Sequence, residues 1–92
     1  MKDIMLEKTI EQALVKRVKE LGGMAEKFVS PGRRSVCDRI ITLPNNTIIF
    51  VECKAPNKHP TALQELDHQR RRALGCDVRV INTLEDARAF TQ

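Results

Sequence analysis

The stretch that decides the fold is CDRIITLPNNTIIFVECK, residues 37–54. It holds two runs rich in β-branched residues, 38–43 and 47–54, and the Pro44-Asn45-Asn46 composition between them is typical of a hairpin turn. We therefore expect two neighbouring antiparallel strands. The second run is almost continuously apolar until it ends in Glu52-Cys53-Lys54, and charge at the end of a buried strand indicates a candidate site.

The turn also predicts which side chains of the two strands meet. If Leu43 pairs with Thr47, Asp38 lies directly opposite Glu52, with the two Cβ atoms about 5 Å apart. Two carboxylates at that distance are destabilising unless a proton or a cation lies between them. Lys54 follows on the same face, about 7 Å along the strand. This arrangement favours a hard divalent cation, Mg²⁺ or Mn²⁺; a strand-end salt bridge is the simpler alternative, and a one-residue slip would turn Glu52 away.

The rest of the chain predicts five further elements in the order α-β-β-β-α-β-α, which makes an α/β fold. Helical spacing of apolar residues, glycine stops and capping sequences mark the helices, and β-branched runs mark the strands. The predicted elements are a helix over Met5–Leu21, a strand over Ala25–Ser30, a helix over His59–Leu74, a strand over Asp77–Ile81 and a short helix from Thr83.

Length and composition narrow the classes of protein. Ninety-two residues, 41% hydrophobic and 30% charged, predict one globular domain over residues 1–92. No apolar run exceeds the four residues 48–51, and the N-terminus does not resemble a signal peptide, so we expect no membrane span and a cytoplasmic location. The net charge of +4 permits an anionic partner without identifying one.

The cysteines and histidines have no spacing typical of a metal site. Cys37, Cys53 and Cys76 are an odd number and contain no C-x-x-C pair, which argues against a disulfide framework and a structural zinc site. His59 and His68 do not complete any familiar ligand spacing with them. We expect the cysteines to be small buried residues.

Two acids lie on or near the apolar face of the first predicted helix. At about 100° per residue, Glu7 falls inside the arc defined by the apolar residues, and Glu11 lies at its edge. A core-facing carboxylate is costly unless it is paired or bound to a cation. The alternative is that both acids only stabilise the helix, because negative charge near a helix N-terminus interacts favourably with the macrodipole. The sequence favours a functional role for Glu11 more than for Glu7.

The second predicted helix has a polar face and an apolar face. Gln64, His68 and Arg71 share the polar face, which predicts contact with a phosphate backbone. The alternatives are that Gln64 completes a capping box with Thr61 and that His68 is merely solvated. Together with other basic residues, this face predicts a DNA-binding rim, whose further members are Arg33, Arg34 and Lys58. A chain with this rim and no catalytic site would be a non-catalytic nucleic-acid-binding module, which is the alternative function.

These motifs together resemble a known family. An acid-bearing helix, GG, KFVSPGRR, DRI, FVECKAP and a helix opening with T-x-x-Q resemble the VRR-NUC family of the PD-(D/E)XK nuclease superfamily, over nearly the whole chain. The resemblance implies a restriction-endonuclease-like core with a mixed β-sheet flanked by helices. It further implies a metal-dependent endonuclease acting on branched DNA such as Holliday junctions, similar to small phage and bacterial members that work as homodimers.

The same resemblance implies roles for individual residues. Asp38, Glu52 and the Cys53 backbone carbonyl would bind Mg²⁺ or Mn²⁺, and Lys54 would position and activate the attacking water. Glu11 or Glu7 would support the waters of the metal, and Gln64 would lie beside the active site. The chain departs from the family where Cys37 replaces the usual proline before the aspartate and where Cys53 occupies the middle of E-x-K.

Overall fold

The computed structural model describes residues 2–32 and 37–92, which form a four-stranded sheet flanked by helices. The element order is the predicted α-β-β-β-α-β-α. The elements are α1 (Lys2–Glu20), β1 (Met24–Lys27), β2 (Arg39–Leu43), β3 (Thr47–Cys53), α2 (Ala62–Ala73), β4 (Asp77–Ile81) and α3 (Leu84–Arg88). Among the described residues, no helix has the length and apolar character needed to cross a membrane.

The sheet is mixed, with the strand order β1-β2-β3-β4. The first three strands are antiparallel neighbours, and β4 lies parallel to β3 after a crossover through α2. Leu43 pairs with Thr47, so the predicted register of the hairpin is confirmed. Asn45 and Asn46 have φ angles of 68° and 61°, the left-handed pair that matches the twist of a tight hairpin.

One face of the sheet packs against α1 and α3 to form the apolar core. The predicted inner arc of α1 is confirmed because Ile10, Leu14 and Val18 are all buried. Burying each such side chain contributes about 1.5–3 kcal/mol, so this face supplies most of the driving force for docking α1. The core residues of the sheet and C-terminal segment are Ile41, Leu43, Ile49, Val51, Cys53, Ile81, Ala87 and Phe90.

The orientation predicted for α2 is wrong. Its polar side faces inward, since Asp67 is 3% and His68 0% exposed, whereas Leu63 is 64% and Leu74 86% exposed. A hydrophobic stripe normally marks the inner face of a helix, but here the buried partner on β3 is a carboxylate, Glu52, which requires polar neighbours.

Three predicted boundaries shift by a few residues. α1 begins at Lys2 rather than Met5, and β1 ends at Lys27 rather than Ser30. α2 begins at Ala62 because Thr61 is its N-cap, with the predicted capping box to Gln64 formed. Such ends are set by capping and local pairing, which periodicity locates only to within a few residues.

Gly23 lets the end of α1 approach the sheet closely. The Gly23 N–H donates to the Val18 carbonyl oxygen at 2.9 Å and so closes the helix. A Cβ atom at Gly23 would collide with the Thr42 carbonyl oxygen and lie 2.7 Å from Leu43 Cδ2. Because that oxygen belongs to the backbone of β2, it cannot move aside without disturbing the strand.

We expect Gly23→Ala to lower the free energy of unfolding by about 2–3 kcal/mol, the cost typical of overpacking. The matched control is Gly75→Ala, since Gly75 has a φ of 94° but a Cβ atom there would meet nothing within 4 Å. Gly75→Ala should lower the free energy of unfolding by only about 1–2 kcal/mol, the strain of placing a side chain in the left-handed region. Urea unfolding of both variants measures the difference, and equal losses would contradict the close-approach argument.

Candidate active site

The ends of β2 and β3 bring two carboxyl groups together. Asp38 directly precedes β2, and Glu52 is the penultimate residue of β3 with 1% exposure. The pairing of Arg39 with Val51 carries the predicted register up to this point. The Cys53 N–H donates to Asp38 Oδ2 at 2.7 Å, which holds the aspartate beside Glu52.

The pKa of Glu52 reports the electrostatics of this pair. Burial first, then the charge of Asp38 and a hydrogen bond between the two carboxyl groups, together raise it to about 8. The pair therefore retains a proton near neutral pH when no cation is bound. A divalent cation can take the place of that proton.

Two further charges act on the same pair. The Lys54 ammonium opposes the rise in the pKa of Glu52, while the Glu7 carboxylate adds to it. The pKa of Glu7 is itself raised, first by burial and then by the charge of Asp38. Three carboxyl groups and one ammonium thus share this end of the sheet, with acidic charge in excess.

Glu11 has a different environment from Glu7. Its Oε2 accepts a hydrogen bond from Arg39 Nε at 3.2 Å, and Arg39 also donates to the Ala25 carbonyl oxygen at 3.0 Å. The two side chains are 24% and 15% exposed, so this is a partly buried ion pair. Glu11 is therefore already neutralised by a cation of the chain and helps tie α1 to β2.

Gln64 has the structural role that the sequence offered as an alternative. Its Oε1 accepts from the Thr61 N–H at 2.9 Å, and its own N–H donates to Thr61 Oγ1 at 3.2 Å. This capping box stabilises the start of α2. It does not test the catalytic role implied by the resemblance, which stays a prediction.

The sequence did not predict that His68 and Cys37 lie beside Glu52. His68 Nε2 lies 3.4 Å from Glu52 Oε1, and both side chains are buried. Cys37 also comes close to this pair. Burial lowers the pKa of His68, assisted by the charge of Arg72. The prediction that His68 contacts a phosphate backbone is wrong, and so is the alternative that it is solvated, because 0% of the residue is exposed.

Arg71 and Lys58 of the predicted basic rim have partners within the chain, and their contact with DNA stays a prediction. Arg71 donates to Asp67 Oδ2 at 2.9 Å, and its guanidinium lies 4.9 Å from the ring centroids of both Phe28 and Phe50, so it is largely committed to packing α2 on the sheet. Lys58 forms an exposed ion pair with Asp3 at 3.4 Å. The remaining predicted members of the rim lie outside the described part of the chain; they are Arg33 and Arg34.

The donor set fits a hard divalent cation. Asp38 and Glu52 supply carboxylate oxygens, the ligands preferred by Mg²⁺ and Mn²⁺, and the charge of Glu7 adds to the negative potential around them. Besides burial, the charge of Asp38 and the hydrogen bond between the two carboxyl groups raise the pKa of Glu52, and a cation bound between the two groups would remove this repulsion.

Comparisons with known proteins agree with this geometry. The chain superposes on a solved structure described as a VRR_NUC domain with a TM-score of 0.84, at 30% identity over 88% of each chain. The chain belongs to the VRR_NUC family. It is also 52% identical over 80 residues to "Putative nuclease p44" of Acyrthosiphon pisum secondary endosymbiont phage 1, covering 87% of this chain and 86% of that protein. No family model matches the sequence.

Membership of the VRR_NUC family confirms the resemblance and the mixed-sheet fold expected from the sequence. The fold and the name of the phage relative both support a nuclease. In this VRR_NUC chain, Asp38 and Glu52 meet where β2 begins and β3 ends, and the charges of Lys54 and Glu7 act on Glu52. The sheet therefore provides a rigid base for the candidate site.

The raised pKa of Glu52 predicts a pH-dependent stability of the metal-free protein. An acid whose pKa is higher folded than unfolded loses stabilisation as the pH rises toward the folded value. In the presence of a chelator, we expect the free energy of unfolding to fall by about 1–2 kcal/mol between pH 6.5 and 8, a window that begins at the ordinary pKa of histidine.

Glu52→Gln should remove most of this slope, because the amide does not ionise. Glu85→Gln, at an exposed carboxylate of α3, is the matched control and should keep the wild-type slope. Urea unfolding across the pH window measures all three proteins. A wild-type stability that rises through this window would contradict the assignment of the raised pKa to Glu52.

Proposed function

We propose that this chain is a metal-dependent endonuclease that hydrolyses phosphodiester bonds in branched DNA such as Holliday junctions, through one nuclease domain spanning residues 1–92. The observation that carries the proposal is the buried contact between Glu52 and Asp38, with Lys54 alongside. Such a cluster has the groups that phosphodiester hydrolysis needs: oxygen ligands for a cation and an ammonium to stabilise anionic charge.

The carboxylates would hold the cation. Asp38 and Glu52 would bind Mg²⁺ or Mn²⁺, together with the Cys53 backbone carbonyl that the resemblance implies. When bound, the ion supplies charge that offsets the developing negative charge of the phosphodiester and lowers the pKa of a water. The Cys53 N–H that donates to Asp38 keeps one ligand in place before the ion arrives, which reduces the reorganisation needed for binding.

Lys54 would act on the substrate side of the site. Its ammonium already interacts with the charges of Glu52 and Glu7. When those carboxylates bind the ion, the ammonium can donate hydrogen bonds to the attacking water and to a phosphate oxygen. These contacts orient the water and stabilise the charge that grows in the transition state.

Glu7 is the better candidate for the helix carboxylate that supports the waters of the ion. Its pKa is raised by burial and by Asp38, so it faces the same charges as the strand pair. Glu11, which the sequence favoured, is engaged by Arg39 at 3.2 Å. A carboxylate that is free to respond to the ion is better suited to that role than one held in an ion pair.

The proposed substrate also bears on the assembly. A chain of 92 residues is small beside a four-way DNA junction, and a twofold dimer would match the symmetry of such a junction. The exposed leucines of α2 offer an apolar surface for a second copy; they are Leu63, Leu66 and Leu74. We propose a homodimer, for which sedimentation of the active protein should give twice the monomer mass.

Cleavage of a labelled four-way junction tests the activity. Wild-type protein should cut with Mg²⁺ or Mn²⁺, and Asp38→Asn and Lys54→Ala should lower the rate at least about 100-fold, the loss typical of removing one electrostatic contact to a transition state. Junction binding, measured by a gel shift in a chelator, should survive both substitutions.

The control for this experiment is Arg88→Ala, on the exposed side of α3, which should cut like the wild type. A wild-type protein that binds the junction without cutting it would instead favour the non-catalytic nucleic-acid-binding module. Equal cutting by all four proteins would remove Asp38 and Lys54 from the mechanism.

The choice between the helix acids has its own test. We expect Glu7→Gln to raise the Mn²⁺ concentration needed for half-maximal cleavage about 10–100-fold, because the loss of an outer partner of a metal site weakens metal binding by that factor. Glu11→Gln should act mainly on stability, because it breaks the ion pair with Arg39. Glu20→Gln, on the same helix, is the control; a larger shift in Mn²⁺ dependence for Glu11→Gln than for Glu7→Gln would reverse the assignment.

A further inference from the structure

A second group of possible ligands lies on the α2 side of Glu52. The Cys37 sulfur, a Glu52 carboxylate oxygen and a His68 ring nitrogen all lie within 4.8 Å of one another. The three residues are 0%, 1% and 0% exposed. They come from the segment before β2, from β3 and from α2, so the cluster exists only because these elements pack together.

Three polar atoms of this cluster have no hydrogen-bond partner among the described residues. Glu52 Oε1 and both ring nitrogens of His68 are buried and have no hydrogen bond to any described residue. The 3.4 Å separation of His68 Nε2 and Glu52 Oε1 is longer than the usual range of a hydrogen bond. Buried polar side chains are nearly always satisfied in native proteins, and three unsatisfied atoms at one point indicate a bound group.

We propose that Cys37, Glu52 and His68 form a binding site for a borderline transition-metal ion of the Zn²⁺ type, separate from the hard-cation site but sharing Glu52 with it. Thiolate, imidazole and carboxylate are the ligands of zinc, whereas Mg²⁺ does not favour sulfur or nitrogen. Zn–S and Zn–N bonds of about 2.3 and 2.0 Å place tetrahedral ligands about 3.5 Å apart. Small rotations of the three side chains close the observed spacing to that value.

Binding would displace the proton of the Cys37 thiol to solvent. Burial, followed by the charge of Glu52, raises the pKa of this thiol to about 12. The metal-free cluster is therefore protonated at sulfur, and a coordinating ion reverses this because the thiolate is its ligand. The ligand spacing also explains why the sequence did not predict the site: residues 37, 52 and 68 contain no closely spaced pair.

The shared ligand connects this site to the proposed nuclease activity, and this part of the inference rests on that function. Glu52 cannot orient its carboxylate optimally toward Asp38 and toward His68 and Cys37 at once. Occupancy by Zn²⁺ should therefore oppose cleavage supported by Mg²⁺ or Mn²⁺. The site would make the nuclease sensitive to the supply of transition metals.

Cobalt provides the direct test, because a thiolate bound to Co²⁺ gives a charge-transfer band in the near ultraviolet. Titration of the reduced full-length chain with Co²⁺ should produce this band, excess Zn²⁺ should remove it, and excess Mg²⁺ should not. Cys37→Ser should abolish the band, and His68→Gln should weaken cobalt binding at least about 10–100-fold. Cys76→Ser, at a half-buried cysteine outside the cluster, should keep it.

Asp38→Asn separates this inference from the proposed function. It should retain the cobalt band whether or not the wild type proves to be a nuclease, and it should lose cleavage if the wild type cleaves. The wild-type spectrum tests the site even if a variant fails to fold, because the absence of a thiolate band overturns the proposal. A band that is lost with Cys76→Ser and kept with Cys37→Ser also overturns it. Zinc inhibition should need at least about 10-fold more Zn²⁺ in Cys37→Ser, and equal inhibition would overturn the coupling to activity.

Discussion

The burial of Glu52 at the end of β3 is the constraint on which the rest of the structure depends. A carboxylate with 1% exposure is stable in a protein only if its surroundings provide a proton, a hydrogen bond or a cation. Asp38 meets it from the start of β2, and His68 from α2. The neighbouring strand and the covering helix are thus both arranged around one ionisable group.

This constraint explains why α2 turns a polar side toward the sheet. Apolar residues there would bury Glu52 against hydrocarbon, so the inner positions carry Asp67 and His68 while Leu63 and Leu74 stay exposed. Arg71 adds to the packing through Asp67 and through the rings of Phe28 and Phe50, contacts that do not depend on the ionisation of Glu52. The opposite face of the sheet supplies the apolar core, which leaves this face available for chemistry.

Much of the fold was predictable because it depends on local rules. The hairpin register follows from the turn between Leu43 and Thr47, and the inner arc of α1 follows from helical spacing. The meeting of Asp38 with Glu52 followed from the same register. The choice between Glu7 and Glu11 was not predictable, because it depends on Arg39, a residue of β2 that α1 contacts only after folding.

The sequence by itself determined the order of the elements, the pairing of β2 with β3 and the set of acids at their ends, since turn chemistry and periodicity act between residues close along the chain. The tertiary structure alone decided which face of α2 is inward and brought Cys37 and His68 to Glu52. Burial is a property of the packed layers, and no spacing along the chain encodes which polar stripe will be enclosed.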